Sequence, residues 1–366
     1  MKTKTRVAVL FGGRSAEHEV SLQSARNVID AIDKDRYETV LIGIDRQGAW
    51  YLNDLSIPLL NTNNPQLSVL NKSSEPVSLI ASDKSGVLVN PQRPSSIQVV
   101  DVLFPVLHGP YGEDGSVQGL AKLANVPCVG SDILGSAIGM DKDISKRLLR
   151  DAGIPVARYI CFRANSLPEQ SIVQVEQAFG FPVYVKPANM GSSVGVVKVS
   201  KATDLLDAVK NALQYDTKIL IEEEIVGREL ECAVLGNGDP IASDVGEIVT
   251  EDGFYSYQKK YIDEDAALLK IPAELDDSTR EQIRTMSIDV FRTLEVRGMA
   301  RIDMFLAIDG GLYVNEINTI PGFTSISMYP KLWQASGISY KELIDRLISL
   351  AIEEHQSKSQ LISTGY

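Results

Sequence analysis

Hydrophobic and polar positions along this chain alternate between strand-like apolar runs and helical faces. Residues 5–11, TRVAVLF, form an apolar run that stops at Gly12-Gly13, as a buried parallel strand does. In SLQSARNVIDAID, 21–33, the residues Leu22, Ala25, Val28, Ile29 and Ile32 share one helical face. YETVLIGID, 37–45, returns to a strand pattern and completes a βαβ unit. Segment 53–98 is rich in Asn, Ser and Pro, with short β pieces at VSLI and GVLV, and reads as a peripheral insertion. VVDVLFPVL, 99–107, resumes the sheet and runs into HGPYGEDG, 108–115, and a helix over about 116–125.

The pattern changes near Asp141. DKDISKRLLRDAG predicts a helix with Asp141 as N-cap and Gly153 at its stop. Strand patterns follow at 157–162, 182–187, 194–199 and 218–224, with a helix at about 203–213. The second and third of these strands flank KPANMGSSVG, 186–195, so a hairpin is the local expectation. From Gly227 the order changes again: strands at 228–235 and 240–249, a polar tyrosine-rich stretch at 253–265, then a long helix over about 276–296. MARIDMFLAI, 299–308, and GLYVNEIN, 311–318, lie either side of Asp309-Gly310, a hairpin turn, and an amphipathic helix is expected over 340–355. The expected class is α/β, in three units: 1–140, a Rossmann-like parallel-sheet unit with its insertion; 141–226; and 227–366.

Composition narrows the function. A chain of 366 residues is too long for one core, and 23% charged with 44% hydrophobic residues is ordinary for a globular enzyme. A net charge of −12 excludes a generic nucleic-acid binder but not an anionic small substrate, which needs only local cations. Cys128, Cys161 and Cys232 are odd in number and widely spaced, which suits reduced thiols in a cytoplasmic compartment. The start of the chain runs directly into a strand pattern without a signal-peptide core, and no apolar run reaches membrane length.

The candidate chemistry lies in a few constellations. Glu316 and Asn318, two apart, project from one strand face, and Asp303 on the neighbouring strand can face them. Such hard oxygen ligands suit Mg²⁺ in a nucleotide site; the alternative is a row of solvent-facing polar positions. Arg301 shares the face of Asp303, placed either to stabilise developing negative charge or to make an ion pair. The loop 318–327 that follows offers backbone N–H donors. KPANMGSSVG supplies glycines and hydroxyls for a phosphate loop, yet Lys186 precedes the glycines and no G-x-x-x-x-G-K-[ST] motif occurs. The acids of IEEEIVGRE, 221–229, can read an adenine amino group and ribose hydroxyls or form an acidic surface run. Gly12-Gly13 invites a dinucleotide reading, but G-x-G-x-x-G is incomplete, and Glu17 at that mouth suits an ammonium group better than a pyrophosphate. His18, His108 and His355 are too scattered for a metal cluster, and no G-x-S-x-G elbow is present.

GGRSAEHEVSL, LHGPYGEDG, VGSD with MDKDISKRLL, VKPANMGSSVG, KKYID, ARIDMF and NEINTIPGFTSISMYP occur here in one order. Together they resemble the D-alanine–D-alanine ligase family of ATP-grasp enzymes, in its longer form, from about residue 5 to 355. The resemblance implies three α/β units, with ATP held between the central and C-terminal ones, and cell-wall precursor synthesis as the role. Residue by residue, Lys142 and Lys186 resemble lysines that contact the ATP phosphates, and Gly191, Ser192 and Ser193 belong to the loop that closes over them. Glu222 and Glu229 match acids near adenine and ribose, and Asp303, Glu316 and Asn318 match ligands of two Mg²⁺ ions, replaceable by Mn²⁺. Glu17 matches the residue that holds the first D-alanine's ammonium, in a network with Ser192 and Tyr261. Lys260 and Ser327 match contacts to the second carboxylate, Arg301 and the Gly322 amide match oxyanion donors, and His108 matches a substrate-side histidine. Met190 and Pro110-Tyr111 depart from the family pattern and are assigned no role; Tyr261 favours D-alanine over D-lactate as second substrate. A homodimer, with neither nucleic-acid nor membrane partners, is also implied.

Overall fold

The computed structural model describes residues 4–53, 75–82, 86–164, 171–249 and 268–361. The first apolar run is β1 (Thr5–Gly12), buried along most of its length because the strands beside it are parallel and both faces are covered. It leads through α1 (His18–Ala31) to β2 (Tyr37–Ile44), β3 (Trp50–Asn53) and β4 (Glu75–Pro76). β5 (Ser78–Ile80), β6 (Gly86–Asn90) and β7 (Arg93–Val100) form a separate three-stranded antiparallel sheet from the expected insertion. β8 (Val102–Val106) then returns beside β1, giving the order β4-β3-β2-β1-β8, parallel at its centre and antiparallel at β3 and β4.

The single strand expected over 99–107 is broken at Asp101. Its carboxylate accepts from the Arg6 backbone N–H (2.8 Å) and guanidinium (2.9 and 2.8 Å), and this ion pair across 95 residues of chain marks the change of sheet. α1 starts three residues earlier than the apolar periodicity predicts, because His18 is itself buried, its Nδ1 2.9 Å from the Gly13 carbonyl.

α2 (Ser116–Leu123), α3 (Ile133–Met140) and α4 (Lys142–Asp151) follow. α3 is apolar without a clear stripe and contains two glycines, so its sequence gives little helical signal. The second sheet has the order β11-β10-β12-β9, with β9 (Tyr159–Arg163), β10 (Val183–Pro187), β11 (Val197–Val199) and β12 (Lys218–Glu223). α5 (Ser171–Ala178) and α6 (Leu205–Ala212) precede β10 and β12. β10 and β11 make the expected hairpin, with Val183 opposite Val199 and Val185 opposite Val197.

The last sheet, β15-β14-β13-β16-β17, comprises β13 (Gly227–Gly236), β14 (Ile241–Val249), β15 (Leu268–Lys270), β16 (Gly298–Ala307) and β17 (Leu312–Asn318). α7 (Asp277–Thr293) packs on it, and α8 (Met328–Ala335) and α9 (Tyr340–Ser359) complete the described fold. The core of the first sheet is shared with this C-terminal part: Val7, Phe104 and Leu22 belong to one buried cluster with Phe323, Trp333, Leu343 and Leu347. That packing brings the ends of β1 and β8 against the loop after β17. Among the described residues no helix is long and apolar enough to cross a membrane.

Candidate active site

A cleft of about 330 Å³ opens between the second and third sheets, within the size range of small-molecule sites. Lys142 enters it from the first residue of α4, whose N-cap Asp141 accepts from the Asp143 and Ile144 N–H groups. Its Nζ donates to the Met190 carbonyl (2.7 Å) and lies 3.2 Å from Glu316 Oε2. Lys186 comes from β10, where Tyr184 pairs with Glu222 and Lys186 with Leu220, so Lys186 and Glu222 are diagonal neighbours on one sheet face. Lys186 Nζ is 2.5 Å from Glu222 Oε2 and 3.2 Å from Asn315 Oδ1.

Glu222 is shared. Its Oε1 lies 3.2 Å from the Nζ of Lys146, one helical turn beyond Lys142, and both side chains are almost fully buried. Burial alone would push the Glu222 carboxyl up, but Lys146 and Lys186 outweigh it and hold the group below the ordinary glutamate range. Burial likewise opposes the Lys186 ammonium, and Glu222 overcomes it to raise the pKa. For Lys146 burial wins and the pKa is lowered. Glu229 lines the same cleft from β13, whereas the Glu222 carboxylate is turned onto the lysines.

On β16 and β17, Asp303 stands opposite Glu316 and Arg301 opposite Asn318. Arg301 gives Nε and Nη2 to the two oxygens of Asp303 at 2.7 Å each, and Nε also lies 2.9 Å from Glu231 Oε2. Asn318 Nδ2 donates to Asp303 Oδ2 at 3.1 Å. The Asp303 and Glu316 carboxylates and the Asn318 amide therefore sit on two paired strands, with Arg301 on Asp303 and Lys142 on Glu316. Among the described residues no group of three or more His, Cys, Asp or Glu side chains gathers as a metal site. The donor set nevertheless fits a hard divalent cation that takes its remaining oxygens from phosphate and water.

A second group of candidate residues gathers where β1 and β8 end. The Glu17 carboxylate accepts a hydrogen bond from the Ser192 hydroxyl, and its backbone N–H donates to Ser15 Oγ at 2.9 Å. Gly109 and Gly191 leave room for it, since a Cβ at either would come within 3.0 and 3.2 Å of Glu17 Oε2. Ser192 and Ser193 adopt φ of 50° and 59°, a left-handed conformation that non-glycine residues seldom take, so the loop backbone is strained here. His108 is buried, with Nδ1 3.0 Å from the Ile320 carbonyl and Nε2 3.3 Å from Ser24 Oγ, and burial lowers its pKa. Ser24 Oγ in turn accepts from the Phe323 N–H (3.1 Å), which fastens α1 to the loop containing Gly322. Ser327 Oγ accepts from the Thr324 N–H at 2.9 Å, closing that loop. Lys260 and Tyr261 lie outside the described residues.

Two family models match the chain: the D-ala D-ala ligase N-terminus over residues 6–131 and the D-ala D-ala ligase C-terminus over 148–349. The chain belongs to the D-alanine–D-alanine ligase family. A D-alanine--D-alanine ligase of Shouchella clausii is 52% identical over 363 residues, 99% of each chain. The D-alanine-D-alanine ligase structure from Coxiella burnetii superposes with a TM-score of 0.85 at 37% identity, over 98% of this chain and 97% of that one. The VanG D-Ala:D-Ser ligase of Enterococcus faecalis gives 0.83 at 36% identity, over 95% and 100%.

Within the ligase fold, three residues emerge that the sequence did not single out. Lys146 lies four positions after Lys142, a spacing that places both on one helix face. Asn315 enters the cleft beside Glu316 because the β16–β17 register slips between Asp303 and Met304, and this bulge defeats the alternation on which strand reading relies. Glu113 lies inside the quoted GEDG motif; its Oε2 accepts from the Gly109 N–H (2.7 Å) and its Oε1 from the Ile320 N–H (3.1 Å). Tyr111, the departure from the family pattern, is half exposed and carries the Arg14 guanidinium 4.9 Å above its ring. Met190 contributes its carbonyl to Lys142.

Proposed function

We propose that this ligase joins two D-alanine molecules into D-alanyl-D-alanine for cell-wall precursor synthesis, consuming ATP and releasing ADP and phosphate. The observation that carries the reading is the continuity of the two halves of the site. Loop 190–195 gives its Met190 carbonyl to Lys142 in the cleft and its Ser192 hydroxyl to Glu17 at the entry of α1. One flap over both is what a reaction between a nucleotide and an amino acid requires.

In this reading the carboxylate of the first D-alanine attacks the γ-phosphorus of ATP, ADP leaves, and an acyl phosphate forms. The amine of the second D-alanine then attacks the acyl carbon and phosphate leaves. Lys142 and Lys186 offset the charge of the polyphosphate, and Glu229 takes the ribose side of the cleft. Asp303, Glu316 and Asn318 would hold Mg²⁺, which when bound supplies Lewis-acid neutralisation of phosphate oxygens. Glu17 holds the first ammonium and Ser192 orients Glu17. Arg301 and the Gly322 N–H are assigned to the tetrahedral oxyanion, and Ser327 with Lys260 to the second carboxylate. The reading divides the chain near residues 140 and 226, and the separate sheets on either side support that division. A homodimer and a cytoplasmic location belong to the same proposal, and sedimentation tests the former.

Incubation with ATP, Mg²⁺ and D-alanine should yield the dipeptide with one phosphate per bond formed. Arms with D-lactate and D-serine as second substrate are needed because a D-Ala:D-Ser ligase shares this fold. Turnover only in one of those arms, or no dipeptide at all, would overturn the assignment.

A further inference from the structure

We propose that Lys146 is a positioning residue for the nucleotide: by occupying one oxygen of Glu222 it prevents full neutralisation of Lys186, whose charge stays available to phosphate. The inference rests on the nucleotide reading of the cleft.

A buried ammonium costs several kcal/mol unless it is paired, and an apolar side chain at the same helix position would avoid that cost. The Lys146 side chain is 2% exposed, so it faces neither solvent nor the open cleft. Among the described residues its ion-pair partner is Glu222, whose Oε1 lies 3.2 Å from its Nζ. Stability gives little reason for this arrangement, whereas charge balance does. A carboxylate held by one lysine forms a neutral pair; held by two, it cancels only one of their charges. Lys186 has Oε2 of Glu222 at 2.5 Å and the uncharged amide oxygen of Asn315 at 3.2 Å, with the Glu316 charge acting on it as well. Of these two ammonium groups Lys186 is the one that lines the cleft, so the charge that Glu222 leaves uncancelled meets a ligand there. A polyphosphate approaching Lys186 has to compete with Glu222, and Lys146 weakens that competitor.

The test measures ADP and adenosine affinity by calorimetry on the full chain, with ATP and D-alanine kinetics beside it. Lys146→Met should weaken ADP binding about tenfold while adenosine affinity stays within about twofold. The KM for ATP should rise more than kcat falls. Lys146→Gln, which keeps a donor for Glu222, should show the same selectivity with a smaller loss and serves if the methionine variant does not fold. In a Glu222→Gln background, removing Lys146 should cost less than about twofold, because no carboxylate remains to hold Lys186. Equal losses for ADP and adenosine would mean a merely structural role, and unchanged ADP affinity would mean none. A loss that persists in the Glu222→Gln background also overturns the inference. Failure of the unmodified protein to bind ADP would remove the nucleotide reading itself, a result separable from these.

Discussion

The Ser192 hydroxyl donates to the Glu17 carboxylate across 175 residues of chain. The contact ties the strained turn after β10 to the start of α1, and in the proposed reaction it links the phosphate loop to the residue assigned to the first ammonium. Ser192→Ala should raise the KM for D-alanine about tenfold, with a smaller change for ATP. Initial-rate kinetics with each substrate varied in turn would show this; an unchanged D-alanine KM would remove Ser192 from that role.

Glu316 faces Asp303 across the β16–β17 pair and lies 3.2 Å from Lys142. Glu316→Gln keeps the shape but removes a charge from the proposed metal donor set. Turnover should fall about 100-fold or more, with the Mg²⁺ concentration needed for half-activity shifted upward. A Mg²⁺ titration near that of the unmodified enzyme would refute the metal assignment.

Burial, with the Glu17 charge adding to it, pushes the Glu113 carboxyl from 4.5 up to about 8. The folded chain therefore binds this proton more tightly than the unfolded chain does. Stability from this group is fully present below the unfolded value, declines as pH rises, and levels off above about pH 8. The slope is at most about 1.4 kcal/mol per pH unit. Glu113→Gln does not titrate, so urea unfolding between about pH 5 and pH 8 should show the variant gaining on the parent as pH rises. A stability difference independent of pH would contradict the raised carboxyl.

Gly12 sits at φ 89°, and a Cβ there would collide with the Ile44 carbonyl. Gly12→Ala combines left-handed strain with a backbone clash and should destabilise the protein by about 2 kcal/mol or more. Thermal unfolding measures it, and a Tm shift under about 2 °C would show that the turn relaxes.

Much of the fold was legible because its elements are local. The apolar run of β1, the Asp141 cap of α4 and the Asp309-Gly310 hairpin each follow from a few adjacent residues. Asp303 and Glu316 could be placed on neighbouring strands from the sequence because a hairpin turn joins them, whereas their facing each other depends on the bulge after Asp303. The motifs, taken in order, also indicated which family the chain belongs to.

What lay beyond the sequence depended on contacts between distant segments. The bulge that turns Asn315 into the cleft beside Glu316 has no local signature. Nor does the Asp101–Arg6 ion pair that splits the expected strand at 99–107. The GEDG motif contained Glu113, but only the folded chain brings Ile320 to its second oxygen. Lys146 reads in sequence as one more charge on a helix; burial against Glu222 makes it part of a three-charge cluster. The sequence determined which side chains are present and which strand or helix holds the residues of its clearly periodic or capped segments. The tertiary structure alone decided which charges share a partner, because Coulomb energy depends on distance and burial, and neither is written along the chain.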